Sequence, residues 1–210
     1  MAQELTFFIY AFTSIFAIVN PVSGVMAFIS MTSHLPQADR IYVAKRSVLI
    51  ACIIAIAFSI LGELILKLFN ITADSLRVAG GVLLFLVAID MLFARTTRES
   101  ITSEELNEAA QKENISVFPI AMPLLTGPGA ITTIIVLIKT AETIDLKLAV
   151  IGAILLTFII TFLIFRFSDY FNKVVGMTGM LVMTRLMGLF LAAIAVDFIF
   201  TGIKGIFNLA

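Results

Sequence analysis

The stretch PLLTGPGAIT, residues 123–132, places two prolines and two glycines within seven residues. Proline removes a backbone donor and glycine weakens a helix, so the stretch alone is typical of a loop. It nevertheless lies in an uncharged run of 25 residues, Asn114 to Ile138, which is long enough to cross a bilayer. The stretch therefore predicts a helix that is interrupted inside a membrane.

The composition indicates a membrane protein. Hydrophobic residues make up 60% of the 210 residues and charged residues 13%, against about 45–50% and about 25% in soluble domains. The formal net charge is zero, and the absence of a basic patch argues against nucleic acid as a partner. The single cysteine, Cys52, cannot form an intramolecular disulfide. We expect one domain over residues 1–210 with the lipid bilayer as its surroundings.

Hydropathy predicts six transmembrane helices, at 5–32, 47–68, 74–94, 115–138, 147–168 and 182–205. The polar stretch 95–114 is expected to be a surface loop, with a capping box at Thr102. Nine lysines and arginines fall in the loops 33–46, 95–114 and 169–181 or beside them, and five on the opposite side. The positive-inside rule then puts these loops in the cytoplasm and both termini outside.

Similar short motifs recur in the same order in the two halves of the chain. They are Pro21–Gly24 and Pro123–Gly127, Arg77–Gly80 and Arg185–Gly188, and Ala88–Asp90 and Ala195–Asp197. Because each half has three spans, the second copy must enter the membrane from the opposite side. The predicted fold is all-α, with six transmembrane helices in two inverted three-helix repeats, about 1–94 and 115–210. Helices 1 and 4 are expected to be broken near the midplane.

Breaks at corresponding places in two inverted halves indicate a transporter site, because irregular backbone persists in hydrocarbon only where it lines a cavity. A half-helix that begins near Gly129 offers N–H groups to an anion, and carbonyls freed by proline can bind an ammonium group or a cation. Thr133 adds a hydroxyl. A plain proline kink without a ligand is the alternative. The predicted substrate-binding residues are Asn20, Pro21, Ser23, Gly24, Thr126, Gly127, Gly129 and Thr132.

Charged residues near the ends of the third and sixth spans have two interpretations. A carboxylate at the bilayer centre costs about 2.5–3.5 kcal/mol and is a functional candidate, so the predicted coupling or gating residues are Asp90, Asp197, Arg77 and Arg185. The alternative is solvation at a helix end, with Asp90 near Arg95 and Asp197 near Lys204. The glycines of the same spans, Gly80, Gly81 and Gly188, are predicted to be close helix contacts.

Several of these motifs together resemble the MarC family. They are Asn20-Pro21, Arg77–Gly81, the PLLTGPGAI segment at 123–131 and Arg185–Gly188. The resemblance implies a six-span prokaryotic inner-membrane protein, and some members are described as ion-coupled transporters of small neutral amino acids such as glycine and alanine. The chain departs from the family pattern at Asp197, where an amide is expected.

The expected function is secondary active uptake of a small neutral amino acid, coupled to protons or sodium, by alternating access. No HExxH, GxSxG or Walker A motif occurs, so we expect neither an enzyme nor ATP-driven transport, and no cofactor, catalytic residue or metal site. Two alternatives stay open. They are an exporter of amino acids or other small solutes, and a structural or regulatory membrane protein.

Overall fold

The computed structural model describes residues 2–93 and 115–208, and within these ranges it contains helices and no strand. The helices are α1 (Ala2–Val19), α2 (Pro21–Thr32), α3 (Gln37–Leu68), α4 (Ala73–Leu92), a wide π-type helix π1 (Ser116–Leu125), α5 (Pro128–Thr140), α6 (Ile144–Arg166) and α7 (Ser168–Phe207). Five stretches are long and apolar enough to cross a membrane, or six when π1 and α5 count as one bent span. The prediction of an all-helical membrane protein is confirmed.

Two helices are longer than the hydropathy indicates. α3 begins at Gln37 and α7 at Ser168, so most of the loops expected at 33–46 and 169–181 is helical. The added turns carry exposed polar residues such as Lys173, and a solvated helical extension has the hydropathy of a loop. Within α7, Gly176 interrupts the helix with a φ of 67°. The stretch expected to be a loop at 95–114 lies outside the described residues.

Two ion pairs define the two ends of the bundle. Arg40 Nη2 lies 2.8 Å from Asp169 Oδ1, which joins the start of α3 to the start of α7. Lys139 Nζ lies 3.1 Å from Glu63 Oε1 at the other end. The first end, here called the basic end, carries Arg40, Lys45, Arg46, Arg166, Lys173 and Arg185, and the opposite end carries Lys67, Arg77, Lys139, Lys147 and Lys204. α1 begins and α7 finishes at the opposite end.

The short helix α5 lies at the centre of the bundle and packs against α1, α3, α4 and α6. Ile134 and Leu137 belong to the larger hydrophobic core, which α1, α2, α3, π1 and α6 complete. Val136, on another side of the same helix, belongs to a second core with α4 and α7. A helix that is apolar all round is expected to be buried, and α5 joins the two cores.

α4 and α7 run antiparallel in close contact through glycines. A Cβ added to Gly81 would lie 2.8 Å from the carbonyl oxygen of Ala195, and one added to Gly188 would lie 3.1 Å from the carbonyl oxygen of Ala88. A Cβ added to Gly80 would overlap the side chain of Thr132 on α5. The prediction that these glycines are close helix contacts is confirmed, since small residues let membrane helices approach.

We expect Gly81→Ala to destabilise the bundle by roughly 1–3 kcal/mol, because the methyl group must push α4 away from the backbone of α7. Gly152→Ala is the matched control, since a Cβ there would meet only the Phe8 ring, at 3.5 Å. Thermal unfolding of the two variants in the same detergent measures the difference. Equal melting temperatures for Gly81→Ala and the parent would show that the α4–α7 contact is not close.

Candidate functional site

The first predicted break lies between α1 and α2. Asn20 adopts a left-handed conformation with φ 46° and ψ 68°, and Pro21 is the first residue of α2, a position that the fixed φ of proline favours. Backbone hydrogen bonds still cross this point, because Asn20 N donates to Phe16 O and Gly24 N donates to Asn20 O, both at 2.9 Å. The helix is therefore interrupted by the conformation of a single residue.

The Asn20 side chain, 7% exposed, lies within a polar network. Its Oδ1 accepts from Ser23 N at 3.3 Å, while Nδ2 donates to Ser23 Oγ at 2.5 Å and contacts Met91 Sδ at 3.5 Å. Ser23 Oγ donates to Thr184 Oγ1 at 3.0 Å, and Thr184 donates to the carbonyl of Met180 at 2.9 Å. This network links the start of α2 to α4 and α7.

The second predicted break lies between π1 and α5, whose axes differ by 56°. Phe118 and Met122 have extended conformations inside π1, and each directly precedes a proline, a position where the α conformation is disfavoured. α5 then begins with Pro128 after Gly127, which offers no side chain to cap the helix. The start of α5 therefore lacks the side-chain cap that Asn20 provides to α2.

Thr126 holds the turn between π1 and α5 in place. It is fully buried, its N–H donates to Ala121 O at 3.0 Å, and its hydroxyl donates to Ala51 O on α3 at 3.0 Å. A Cβ on Gly127 would lie 2.6 Å from the carbonyl oxygen of Pro123. The turn itself thus requires both residues, whether or not a ligand approaches them.

The two interruptions lie against one another. A Cβ added to Gly24 would lie 3.6 Å from Leu125 Cδ2, in the last residue of π1. A Cβ added to Gly129 would lie 2.7 Å from Leu84 Cδ2 and 3.9 Å from Ile18 Cγ2. Gly24 and Gly129, one from each break, therefore lie where the two segments pack together, while Asn20 and Ser23 face α4 and α7 and Thr126 faces α3. Thr132 points away, and its side chain packs on α4 against Gly80.

Three buried hydroxyls in the described part of the chain have no hydrogen-bond partner. They belong to Ser14, Thr133 and Thr157, which are 1%, 0% and 0% exposed. Helical serines and threonines ordinarily donate to a carbonyl one turn back, as Thr161 does at 2.7 Å. The Tyr10 hydroxyl lies near Ser14 Oγ, but without the geometry of a hydrogen bond. Each of these buried hydroxyls therefore lacks the hydrogen bond that would offset the cost of its burial.

Two of these hydroxyls lie next to the interruptions. α1 and α5 run in opposite directions, and Ile18 meets Gly129. One turn from that contact, towards the opposite end of the bundle, are Ser14 on α1 and Thr133 on α5, which therefore lie at one level on the faces that meet. Ser14 is not among the residues predicted from the sequence, because a serine in an apolar helix gives no sign of whether its hydroxyl is bonded.

The four predicted coupling residues have different surroundings. Arg77 is largely buried and fixed, since its guanidinium lies 3.2 Å from Asp74 Oδ1 and donates to Thr140 Oγ1 on α5 at 2.5 Å. Asp90, Asp197 and Arg185 are exposed on α4 and α7.

Neither predicted coupling aspartate forms an ion pair with a described residue. The pairing of Asp197 with Lys204 considered above is therefore not observed, and Arg95 lies outside the described residues. The Tyr10 hydroxyl of α1 is within electrostatic range of Asp197. Among the described residues, no group of three His, Cys, Asp or Glu side chains could hold a metal ion.

Known proteins are similar to this sequence over nearly its whole length. The family described as MarC family integral membrane protein matches residues 5–207. The chain belongs to the MarC family. It is 42% identical to a UPF0056 membrane protein of Methanocaldococcus jannaschii, over 97% of this chain and 98% of that protein.

Bacterial relatives are similar over nearly the same length. The UPF0056 membrane protein YhcE of Escherichia coli is 39% identical, over 93% of this chain and 91% of that protein. YvbG of Bacillus subtilis is 37% identical, over 96% of each. These names identify membrane proteins of the family and state no substrate. No solved structure matches the chain.

We expect Thr126→Val to lower the free energy of unfolding by about 1 kcal/mol, the usual contribution of one hydrogen bond, because the bond to Ala51 O is lost. Thr133→Val is the matched control in the same region and should keep or raise the stability, since its buried hydroxyl has no hydrogen bond to lose. Thermal unfolding in detergent compares the two variants. A larger loss for Thr133→Val would mean that its hydroxyl is bonded in the folded protein.

Proposed function

We propose that the chain is a secondary active transporter that takes up small neutral amino acids, such as glycine or alanine, with protons or sodium. The observation that carries the proposal is the contact between two helix interruptions, one in each half of the chain. Ile18 and Gly24 beside the first meet Gly129 and Leu125 beside the second. Irregular backbone at membrane depth is tolerated where it lines a cavity or is buried in protein.

Sequence spacing supports an inverted repeat. A separation of 107 residues relates Asn20-Pro21 to Gly127-Pro128 and also Asp90 to Asp197. This spacing pairs Pro21 with Pro128, and those two residues begin α2 and α5. It replaces the pairing of Pro21 with Pro123 that the motifs alone indicate.

Helix packing supports the same repeat. If α1–α2 corresponds to π1–α5, α3 to α6 and α4 to α7, the major contacts are unchanged when the halves are exchanged. The unit α1–α2 packs on α6 and on α7. Correspondingly, the unit π1–α5 packs on α3 and on α4. The antiparallel pair α4 and α7 then lies on the axis that relates the halves. Alternating access would be a rocking of one half against the other.

The site suits a zwitterion. The uncapped start of α5 offers N–H groups and the positive end of a helix dipole to a carboxylate. The unbonded hydroxyls of Ser14 and Thr133 offer acceptors to an ammonium group. Ile18 and Leu84 close the space around Gly129, which favours a small side chain. No charged residue stands at either interruption, which favours a neutral one.

Asp90 and Asp197 are our candidates for coupling and gating, together with Arg77 and Arg185. The two carboxylates lie exposed on corresponding helices, and an unpaired charge inside a membrane is costly. Protonation would remove that cost, which links proton uptake to movement of α4 and α7. Transport of this kind requires no catalytic residue and no cofactor.

Orientation follows from the charge of the two ends. We place the basic end in the cytoplasm of a prokaryotic cell and both termini outside the inner membrane. In a Cys52→Ala background, Gln3→Cys should react with an impermeant maleimide added to intact cells, whereas Lys173→Cys should react only after permeabilisation. Both positions are exposed, so the opposite result would reverse the orientation.

Purified protein in liposomes should accumulate radiolabelled glycine or alanine when a proton or sodium gradient is applied. Excess lysine or glutamate should compete poorly, because the site offers no partner for a charged side chain. Folding is checked by the melting temperature of the same preparation. If folded protein takes up neither amino acid under either gradient, uptake is excluded. Efflux from preloaded liposomes would then support an exporter, and no movement in either direction would favour a structural or regulatory role.

Variants in the same assay separate the site from the coupling residues. Thr133→Val and Ser14→Ala should weaken substrate binding without loss of stability. Asp90→Asn and Asp197→Asn should keep exchange of substrate but lose accumulation against a gradient, while Asp145→Asn, an exposed first-turn aspartate of α6, should behave as the parent. Parental accumulation by both aspartate variants would leave those carboxylates with a structural role.

A further inference from the structure

A groove opens on the surface of the bundle between α3 and α6, away from the helix interruptions. Its volume is about 300 Å³. The lining is apolar except for one amine and one thiol, and consists of Lys45, Val48, Leu49, Cys52, Leu155, Phe158, Ile159 and Phe162. Leu49, Leu155 and Ile159 are 55%, 43% and 57% exposed, so the groove faces the surroundings of the bundle.

The groove extends from the basic end to the middle of the bundle. Seven residues of α3 separate Lys45 from Cys52, which corresponds to about 10 Å along a helix. On α6, which has the length of one membrane span at Ile144–Arg166, the lining runs from Phe162, near the basic end, to Leu155 at the midpoint of that helix. Since half of a hydrocarbon core is about 15 Å thick, a groove of about 10 Å extends through about two thirds of one leaflet. A single acyl chain of that leaflet can lie along this length.

A basic side chain that no described residue neutralises stands at the mouth of the groove. Lys45 is exposed and makes no ion pair with a described residue. The neighbouring arginines are engaged, since Arg40 pairs with Asp169 and Arg46 donates to the Tyr42 hydroxyl at 3.1 Å. The Lys45 ammonium is therefore the cation at this mouth that an external anion can neutralise.

We propose that the α3–α6 groove binds an anionic phospholipid. One acyl chain fills the apolar channel as far as Cys52, and the phosphate group pairs with the Lys45 ammonium. Basic side chains next to gaps between transmembrane helices attract anionic headgroups in this way. The lipid site lies apart from the proposed substrate site, and the inference does not rest on the transport function.

Native mass spectrometry of the purified protein in detergent measures the headgroup preference. Phosphatidylglycerol should be retained roughly fivefold better than phosphatidylcholine with the same acyl chains, the size expected of one basic residue near an anionic headgroup. Lys45→Gln should abolish the preference. Lys173→Gln, the same charge change at the same end of the bundle, should keep it. Equal retention of the two lipids by the parent, or equal losses in both variants, would refute the proposal.

Two further measurements locate the bound chain. Cys52 is the single cysteine and lines the groove, so phosphatidylglycerol should slow its alkylation by a maleimide, whereas glycerol phosphate, which has no acyl chain, should not. Ile159→Trp should fill the groove and remove the protection. Leu163→Trp, one turn further along α6 and outside the lining, should keep it. Melting temperatures confirm that both variants are folded, and alkylation that is unaffected by phosphatidylglycerol would place the lipid elsewhere.

Discussion

Backbone polar groups find no partner in hydrocarbon, and this constraint decides where the proline-rich segment of the chain can lie. π1 cannot form regular helical hydrogen bonds, because extended residues precede two of its prolines. Its Ile120, Ala121 and Leu125 and the following Thr126 are each fully buried, whereas the extended residues Phe118 and Met122 are 37% and 40% exposed. One side of π1 therefore packs on α2 and α3, and α5, which continues from it, lies at the centre of the bundle.

The two interruptions are held by hydroxyl groups that cross between the halves of the chain. Ser23, in the first half, donates to Thr184 in the second, at 3.0 Å. Thr126, in the second half, donates to the Ala51 carbonyl in the first, also at 3.0 Å. Each interruption is thus positioned by a helix of the other half. Relative movement of the halves would change both contacts at once, which is the mechanical requirement of alternating access.

Local sequence rules were sufficient for the all-helical, membrane-spanning character of the chain, because apolar run length acts over a few residues. They were insufficient where the outcome depends on a distant partner. The solvated start of α7 has the composition of a loop, and ion pairing of Asp169 with Arg40, 129 residues away, joins it to α3. Whether the hydroxyl of Ser14 or of Thr126 is bonded depends likewise on which helix packs beside it, which no local pattern records.

The unbonded hydroxyls argue against a bundle with only a structural role. A buried polar group without a partner costs about 1–3 kcal/mol, and alanine or valine would remove that cost at Ser14, Thr133 or Thr157 with little change of volume. Thr126 and Thr184 show that the same bundle can satisfy buried hydroxyls where they serve the fold. Ser14 and Thr133 lie instead one turn from the contact between Ile18 and Gly129. A ligand that accepts or donates hydrogen bonds there would turn their cost into binding energy, as the proposed transport site requires.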